Sequence, residues 1–307
     1  MPWGSNDLFE IINKKLGIMK KRNLMKFLCL LFAGMFSMMI VSCSDDDDAS
    51  DDGTPSGEFT PGGQFTTNNG SVYLIYAAYY RFEYTDGDVT SVYQYERFDN
   101  EVTDDIEDSY TVTHDPLSFI GTHIQLTDIE QNDDGFITSL TKIDSENDAE
   151  INFTFSYDSS GHLTSLKEEG DYNGSTVDGE WTLTWSNNKI TKAAQNYYYS
   201  DCTYSLSSIE YLSSIEYSSD YPNVTLQYGP YVENMCGSDE NGLEMLFYLG
   251  YLGKASSYHP LSYCLGEADD YVELNEDYYY CTPTLNSDGS LKEVEYEDYY
   301  TYTFSYQ

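Results

Sequence analysis

The sequence has little positive charge, little histidine and no uninterrupted apolar run longer than a secretory signal. Against 53 acidic residues it has only 14 lysines and arginines, which gives a formal net charge of −39. A field of that sign repels phosphate backbones and anionic lipid headgroups, so nucleic acid is excluded as a partner. The four histidines lie outside any G-x-S-x-G or H-E-x-x-H motif, and no catalytic residue stands out.

The N-terminal region has the layout of a secretory signal. Lys20-Lys21-Arg22 and Lys26 precede an almost uncharged run over 27–41, which is too short for a comfortable membrane span. We predict a signal region over 1–42, with translation starting at Met19. The run ends in Ile40-Val41-Ser42-Cys43, which resembles a lipobox and predicts a lipid on Cys43; the alternative is an ordinary signal peptide with a chance cysteine.

An acidic stretch follows the lipobox directly. The residues Ser44, Asp45, Asp46, Asp47 and Asp48 resemble the tag that routes Bacteroidetes-type lipoproteins to the outer face of the outer membrane. This resemblance implies a lipid-anchored protein facing the cell exterior; the alternative is a solvated linker without an address. Almost no apolar residue occurs up to about Gly70, so we predict a flexible tether over 43–70 and one folded domain over 71–307.

Composition predicts an all-β domain. Six basic and two acidic residues precede Cys43, so the remainder carries a formal charge of −43, which favours solubility over cation binding. The 32 tyrosines suit pleated, half-buried surfaces, where the ring packs and the hydroxyl stays wet.

Four cysteines remain after Cys29 and Cys43 are set aside. Cys202, Cys236, Cys264 and Cys281 would lie outside the cytoplasm, which allows up to two disulfides in three connectivities. We predict a bridge between Cys264 and Cys281, with two free, buried thiols as the alternative. The long spacings do not favour a zinc site, and no cofactor is predicted.

Alternating aromatic and polar residues predict strands, for example over 153–157, 181–185 and 302–306. A turn recurs between such strands, and each turn pair is followed by apolar residues two and five positions on. The five pairs are Asp86-Gly87, Asp134-Gly135, Ser160-Gly161, Asn187-Asn188 and Asp288-Gly289. The two apolar residues after each turn are three positions apart, so in a regular strand they would point to opposite faces. Either both faces are partly covered or a bulge intervenes.

Two resemblances follow from this pattern. The stretch from Tyr157 to Leu163 resembles the YD repeats of large secreted β-shell proteins, although the other copies depart from it. The order of strands and turns over 130–307, with a helix-like segment near 242–253, resembles an uncharacterised lipoprotein family described as a domain of unknown function with a porin-like fold. It implies an antiparallel meander in a strongly curled sheet or barrel, with one short helix plugging an end, and it brings no activity.

Three candidate sites are weak. The loop from Glu130 to Gly135 faintly resembles a calcium-binding EF-hand loop, but Thr141 stands where the bidentate glutamate belongs, so a hairpin is predicted. Among the histidines, His114, His123, His162 and His259, we expect His162 to be exposed at a strand start. A carboxylate pair for glycoside hydrolysis is compatible with so many acids, but nothing selects one pair.

Tyrosine runs at 197–199, 278–280 and 299–300 would suit a glycan platform, although adjacent tyrosines in a strand point both ways and most such rings belong to the core. The leading interpretation is a non-enzymatic surface lipoprotein that binds a glycan or a surface protein and touches the membrane through its lipid only. An extracellular polysaccharide hydrolase and a structural envelope component are the alternatives.

Overall fold

The computed structural model describes residues 58–67, 70–98, 101–199, 206–212, 214–222, 242–256, 258–267, 275–287, 290–296 and 301–307. The chain divides into units of residues 1–52 and 53–307, and every described residue belongs to the second. The predicted lipidation site Cys43 and the acidic stretch 44–48 therefore lie outside the described residues, as do Cys202 and Cys236. No helix in the described part is long and apolar enough to cross a membrane.

The described residues form nineteen strands and one helix. In chain order the strands are β1 Glu58–Thr60, β2 Gln64–Thr67, β3 Gly70–Ala77, β4 Tyr80–Thr85, β5 Asp88–Phe98, β6 Glu101–His114, β7 Leu117–Ile120, β8 Ile124–Gln131, β9 Ile137–Asp144, β10 Ala149–Tyr157, β11 Leu163–Tyr172, β12 Ser175–Ser186, β13 Lys189–Tyr199, β14 Leu206–Leu212, β15 Ser214–Pro222, β16 Tyr258–Glu267, β17 Asn275–Leu285, β18 Leu291–Tyr296 and β19 Thr301–Tyr306. The helix, α1, spans Glu244–Tyr248.

The strands form an antiparallel meander. Each pairs with the next from β1 to β14 and again from β15 to β19, and β19 then pairs with β3. The order of pairing thus returns towards its start, as a strongly curled sheet requires. This confirms the predicted all-β class, a curled sheet or barrel with one short helix.

Four of the five recurring turns lie among the described residues and are hairpins, as predicted; Asp288-Gly289 lies outside the described residues. Asp86-Gly87 and Asn187-Asn188 have positive φ at both central residues, which is the type I′ geometry that matches the twist of the flanking strands. Gly135 and Gly161 supply a single positive φ in longer turns, where the amide oxygen of Asn132 and a carboxylate oxygen of Asp158 accept backbone N–H groups. Because strand direction alternates, these connections all lie at one end of the sheet, the turn end.

A β-bulge follows each of the five turns. It explains how two apolar residues that are three positions apart can both face the interior. The register skips one residue in every case, so the apolar positions on either side of it both point inward. All ten apolar residues are buried. They are Val89, Val92, Ile137, Leu140, Leu163, Leu166, Ile190, Ala193, Leu291 and Val294.

Threonine occupies four of the five bulges, a feature that the sequence analysis missed. The skipped residues are Thr90, Thr138, Thr164, Thr191 and Lys292. Each threonine hydroxyl donates to a backbone carbonyl of the preceding strand, over 3.1–3.3 Å. The hydroxyl therefore ties the bulged residue to its neighbour where the regular ladder is interrupted.

The segment 242–253 is buried and fills the interior near the turn end. The carbonyl of Leu249 accepts the N–H groups of Gly62 and Gly63, and the carbonyl of Tyr251 accepts the N–H of Ile137. The buried carboxylate of Glu244 accepts the hydroxyls of Tyr79 and Tyr248. The Glu244 carboxylate is therefore hydrogen-bonded within the core and is not accessible to a substrate.

The short helix lies within the predicted segment 242–253, whereas the predicted end of the tether needs correction. The helix is only five residues long because Gly250, with φ +73, ends it: the N–H of Gly250 bonds to Phe247 and that of Tyr251 to Leu246, which is a Schellman cap. The tether was predicted to reach about Gly70, but β1 and β2 form a hairpin within that stretch. Phe59 and Phe65 lie opposite each other in this hairpin, and Phe65 is fully buried, so the stretch contributes to the core.

Candidate functional site: a tyrosine-lined groove

A groove of about 590 Å³ opens where β3 and β4 diverge. The two strands pair only at Tyr76 with Arg81 and at Ala77 with Tyr80, next to their connecting turn. Beyond these pairs β3 takes β2 as its partner, with Gln64 opposite Tyr73, while β4 stays with β5. The separation of β3 from β4 thus leaves an open cleft, which we call the tyrosine groove.

Three tyrosines line the tyrosine groove: Tyr73, Tyr76 and Tyr84. The rings of Tyr73 and Tyr84 lie with centroids 4.9 Å apart. The Tyr84 hydroxyl donates to the carbonyl of Leu74 over 2.8 Å, and burial raises the pKa of Tyr84 well above its usual range. The Tyr73 hydroxyl accepts the side-chain amide of Gln64 over 3.3 Å. These two rings are therefore held in fixed positions.

Polar groups stand beside the aromatic rings. Arg81 and Glu83 line the groove and form an ion pair in which both side chains are partly exposed. The hydroxyl of Tyr93 donates to the other oxygen of Glu83 over 3.2 Å, and the Arg81 guanidinium lies 5.2 Å from the centre of the Tyr93 ring. The lining also contains hydroxyl and amide groups, from Thr85, Thr90, Ser305 and Gln307.

This lining suits binding better than hydrolysis. An aromatic wall next to hydrogen-bonding groups accommodates a ligand with an apolar face and polar edges. Glycoside hydrolysis needs two carboxyl groups about 5–10 Å apart across the scissile bond. Glu83 is the one acidic side chain among the described residues that line the groove, and it is engaged by Arg81 and Tyr93.

The tyrosine runs singled out from the sequence are not the ones that form the groove. Residues 197–199 lie on β13 and 278–280 on β17, while 299–300 lie outside the described residues, so the structure does not test them as a platform. The groove is made by tyrosines on two strands joined by a tight turn. The tyrosines on both sides of that turn were visible in the sequence. The divergence of β3 from β4 could not be predicted from their spacing.

Three of the four histidine side chains lie among the described residues, and each contacts a neighbouring group of the protein. His162, which we predicted to be exposed, is only 4% exposed: its ring stacks on Trp185 with centroids 4.3 Å apart, and its Nδ1 lies 3.0 Å from Asp158. The turn folds this ring back onto the sheet, which reasoning from the strand start alone could not show. His114 Nε2 contacts the carbonyl of Val89 over 2.6 Å, and His123 Nδ1 lies 3.1 Å from Glu146. The side chain of His259 lies outside the described residues.

The loop from Glu130 to Gly135 connects β8 and β9 as a hairpin, as predicted. The Asn132 side-chain oxygen accepts the N–H groups of Asp134 and Phe136, and Gln131 donates to the carbonyl of Gly135. The Asn132 side-chain oxygen, which a calcium ion would need as a ligand, is therefore already hydrogen-bonded within the turn. Within the described ranges no cluster of three metal-ligating side chains occurs.

Cys264 and Cys281 lie on the paired strands β16 and β17, but not opposite each other. Cys264 pairs with Tyr278, so Cys281 is offset by three positions along β17. Such an offset separates the Cα atoms by roughly 11 Å, beyond the limit of about 7 Å for a disulfide. The predicted bridge would therefore require a different register, and it stays a prediction.

Comparison with known proteins finds similarity among solved structures. No family model and no curated protein matches the chain. Among solved structures, the chain is similar to a porin-like protein from Bacteroides uniformis ATCC 8492, with a TM-score of 0.48 and 18% sequence identity. The likeness covers 77% of this chain and 89% of that one. Because both scores are low, the function of this chain has to be argued from its own residues.

Proposed function

We propose that the protein is a lipoprotein of the outer membrane, held by a lipid on Cys43 and facing the cell exterior, which binds a neutral glycan in the tyrosine groove. The anchor and address rest on the lipobox-like and acidic segments of the sequence. The observation that carries the binding role is the tyrosine groove itself, in which fixed aromatic rings adjoin hydroxyl, amide and charged groups.

The chemistry of the groove favours a sugar. A pyranose ring presents C–H groups on its faces, which stack on aromatic rings, and hydroxyls at its edge, which hydrogen-bond to side chains such as Thr85, Ser305 and Gln307. The net charge of −39 disfavours a uronate or sulfated glycan, because the field of the whole molecule repels it. Neutral oligosaccharides are therefore the favoured ligand class.

The role is binding without catalysis. A hydrolase would require a second carboxylate across the groove from Glu83, and its described lining supplies none. The buried Glu244 does not serve, because two tyrosine hydroxyls and the core enclose it.

A glycan array followed by calorimetry on the purified domain tests this function. We expect a neutral oligosaccharide to bind, and Tyr76→Ala to weaken binding at least about fivefold because it removes a stacking face. Tyr76→Phe is the matched control: it keeps the ring and should retain most of the affinity.

Absence of binding across neutral glycans would contradict the proposed role. Equal affinity in wild type and Tyr76→Ala would place the site elsewhere. Release of reducing ends from a bound oligosaccharide would instead support the hydrolase alternative.

A further inference from the structure

The β5–β6 hairpin extends beyond the strands on either side of it. β4 pairs with β5 only as far as Gln94, and β7 pairs with β6 only from Thr111 onwards. Residues 96–98 and 101–107, which we call the arm, pair among the described strands only with each other and, at Ile106, with Tyr95; Arg97 lies opposite Val102. The arm is therefore a two-stranded projection without a third strand.

The arm carries the most exposed large apolar side chains of the described residues. Ile106 is 53% exposed and Val102 is 39% exposed. Exposed acids lie next to them, namely Asp104, Asp105 and Glu107 on β6 and Glu96 on β5. An apolar centre with a charged rim is the composition of a protein–protein contact, since apolar burial contributes the affinity and the rim provides selectivity.

Strand addition to the arm is disfavoured. The register between β5 and β6 shifts on both sides of Tyr95, so that Glu96 faces the three residues between Val102 and Ile106. Bulges and acidic side chains on a free strand are the features that prevent pairing with another strand. A partner therefore meets the arm through side chains.

The charge of the arm selects the kind of partner. From residue 95 to 108 the sequence has seven acidic residues and one basic residue, within a chain of net charge −39. A second copy of this chain is repelled by the same field. We propose that the arm docks onto a positively charged protein surface with exposed aliphatic side chains, in which Ile106 and Val102 supply the apolar contact and the neighbouring acids supply the charge. This proposal is independent of the tyrosine groove.

A defined peptide probe tests the proposal with the folded domain. The probe is a short, fluorescently labelled peptide of repeated Lys-Leu-Gly units; a Lys-Ser-Gly peptide lacks the apolar part and a Glu-Leu-Gly peptide reverses the charge. Fluorescence anisotropy at physiological ionic strength should show that the Lys-Leu-Gly peptide binds most tightly. Ile106→Thr should weaken its binding about tenfold, and Asp104→Asn with Asp105→Asn should weaken it by about as much.

Ile143→Thr is the matched control, because Ile143 is an exposed isoleucine, 37% accessible, on β9 and away from the arm. It should leave the affinity unchanged. The proposal is overturned if Ile106→Thr and Ile143→Thr bind alike, or if the Lys-Ser-Gly peptide binds as tightly as Lys-Leu-Gly, which would indicate general attraction to an acidic protein. Self-association of the wild type that Ile106→Thr abolishes would replace the cationic partner by a second copy.

Discussion

At the scale of single residues, the interior of the sheet contains charged groups as well as apolar ones. Lys142 and Asp144 on β9 are almost fully buried, with Nζ and Oδ2 4.0 Å apart. Burial raises the pKa of Glu168 on β11 from its ordinary value of 4.5 to about 7, and the nearby charge of Lys142 opposes this increase only in part. The folded protein thus holds a proton on Glu168 under conditions in which the unfolded chain has released it.

This linkage predicts a pH-dependent effect of Glu168→Gln. Because the folded protein binds this proton more tightly than the unfolded chain, the protonated carboxyl stabilises the fold. This stabilisation is fully present below about pH 4.5 and is lost as pH rises to about 7. The variant should equal wild type near pH 4.5 and exceed it in free energy of unfolding by about 3 kcal/mol above pH 7. Urea unfolding across that pH range measures the difference. Glu169→Gln, at the exposed neighbouring position, is the control, and a pH-independent difference for Glu168→Gln would contradict the argument.

At the scale of elements, one unit is repeated around the turn end: a strand, a tight turn, a buried apolar residue, a bulge and a second buried apolar residue. The bulge places both apolar residues inside and bends the strand, so the same device fills the core and curls the sheet. A threonine hydroxyl closes four of the five bulges. The turn and the apolar positions were predictable from the sequence, because their signals are local.

Removing two of these hydroxyls should destabilise the protein. Thr164→Val with Thr191→Val keeps side-chain shape but leaves the carbonyls of Ser156 and Thr184 without their donors. We expect the free energy of unfolding to fall by about 1 kcal/mol. The matched pair Thr154→Val with Thr182→Val changes exposed threonines at regular strand positions, and thermal unfolding of the two double variants should separate them. Equal stability would assign no role to the bulge hydroxyls.

The pairing of Cys264 and Cys281 is also decided at this scale. With the observed register, the two cysteines are too far apart to bridge, whereas a register shift of three residues would bring them together. Peptide mapping without reductant distinguishes the two arrangements. A linked pair of peptides supports the predicted disulfide, and quantitative alkylation of both thiols after unfolding supports the observed register.

At the scale of the whole molecule, the proposed location depends on the anchor. Cys43→Ser removes the acceptor of the lipid, whose acyl chains supply the free energy of membrane association. We expect the variant to move from the membrane fraction to the soluble fraction of cells. If it still sediments with membranes, the lipoprotein assignment is wrong.

The orientation of the anchored protein has its own test. Protease treatment of intact cells should release the domain by cutting between the lipid and β1, in a stretch with few apolar residues. Replacing Asp45, Asp46, Asp47 and Asp48 with alanine should protect the domain by keeping it on the inner leaflet. Resistance of the wild-type protein on intact cells would contradict a surface location.

Features that depend on neighbours along the chain follow from the sequence alone: strands from aromatic and polar alternation, hairpins from tight-turn pairs, and an acidic character that repels polyanions. Features that depend on pairing between distant residues are visible only in the folded protein. The bulges settled which face Val92 and its equivalents occupy, the inward fold of a turn buried His162, and the divergence of β3 from β4 created the tyrosine groove. Short-range chemistry sets turns and periodicity, whereas register and strand divergence follow from how the whole sheet curls around its buried segment, which no local pattern records.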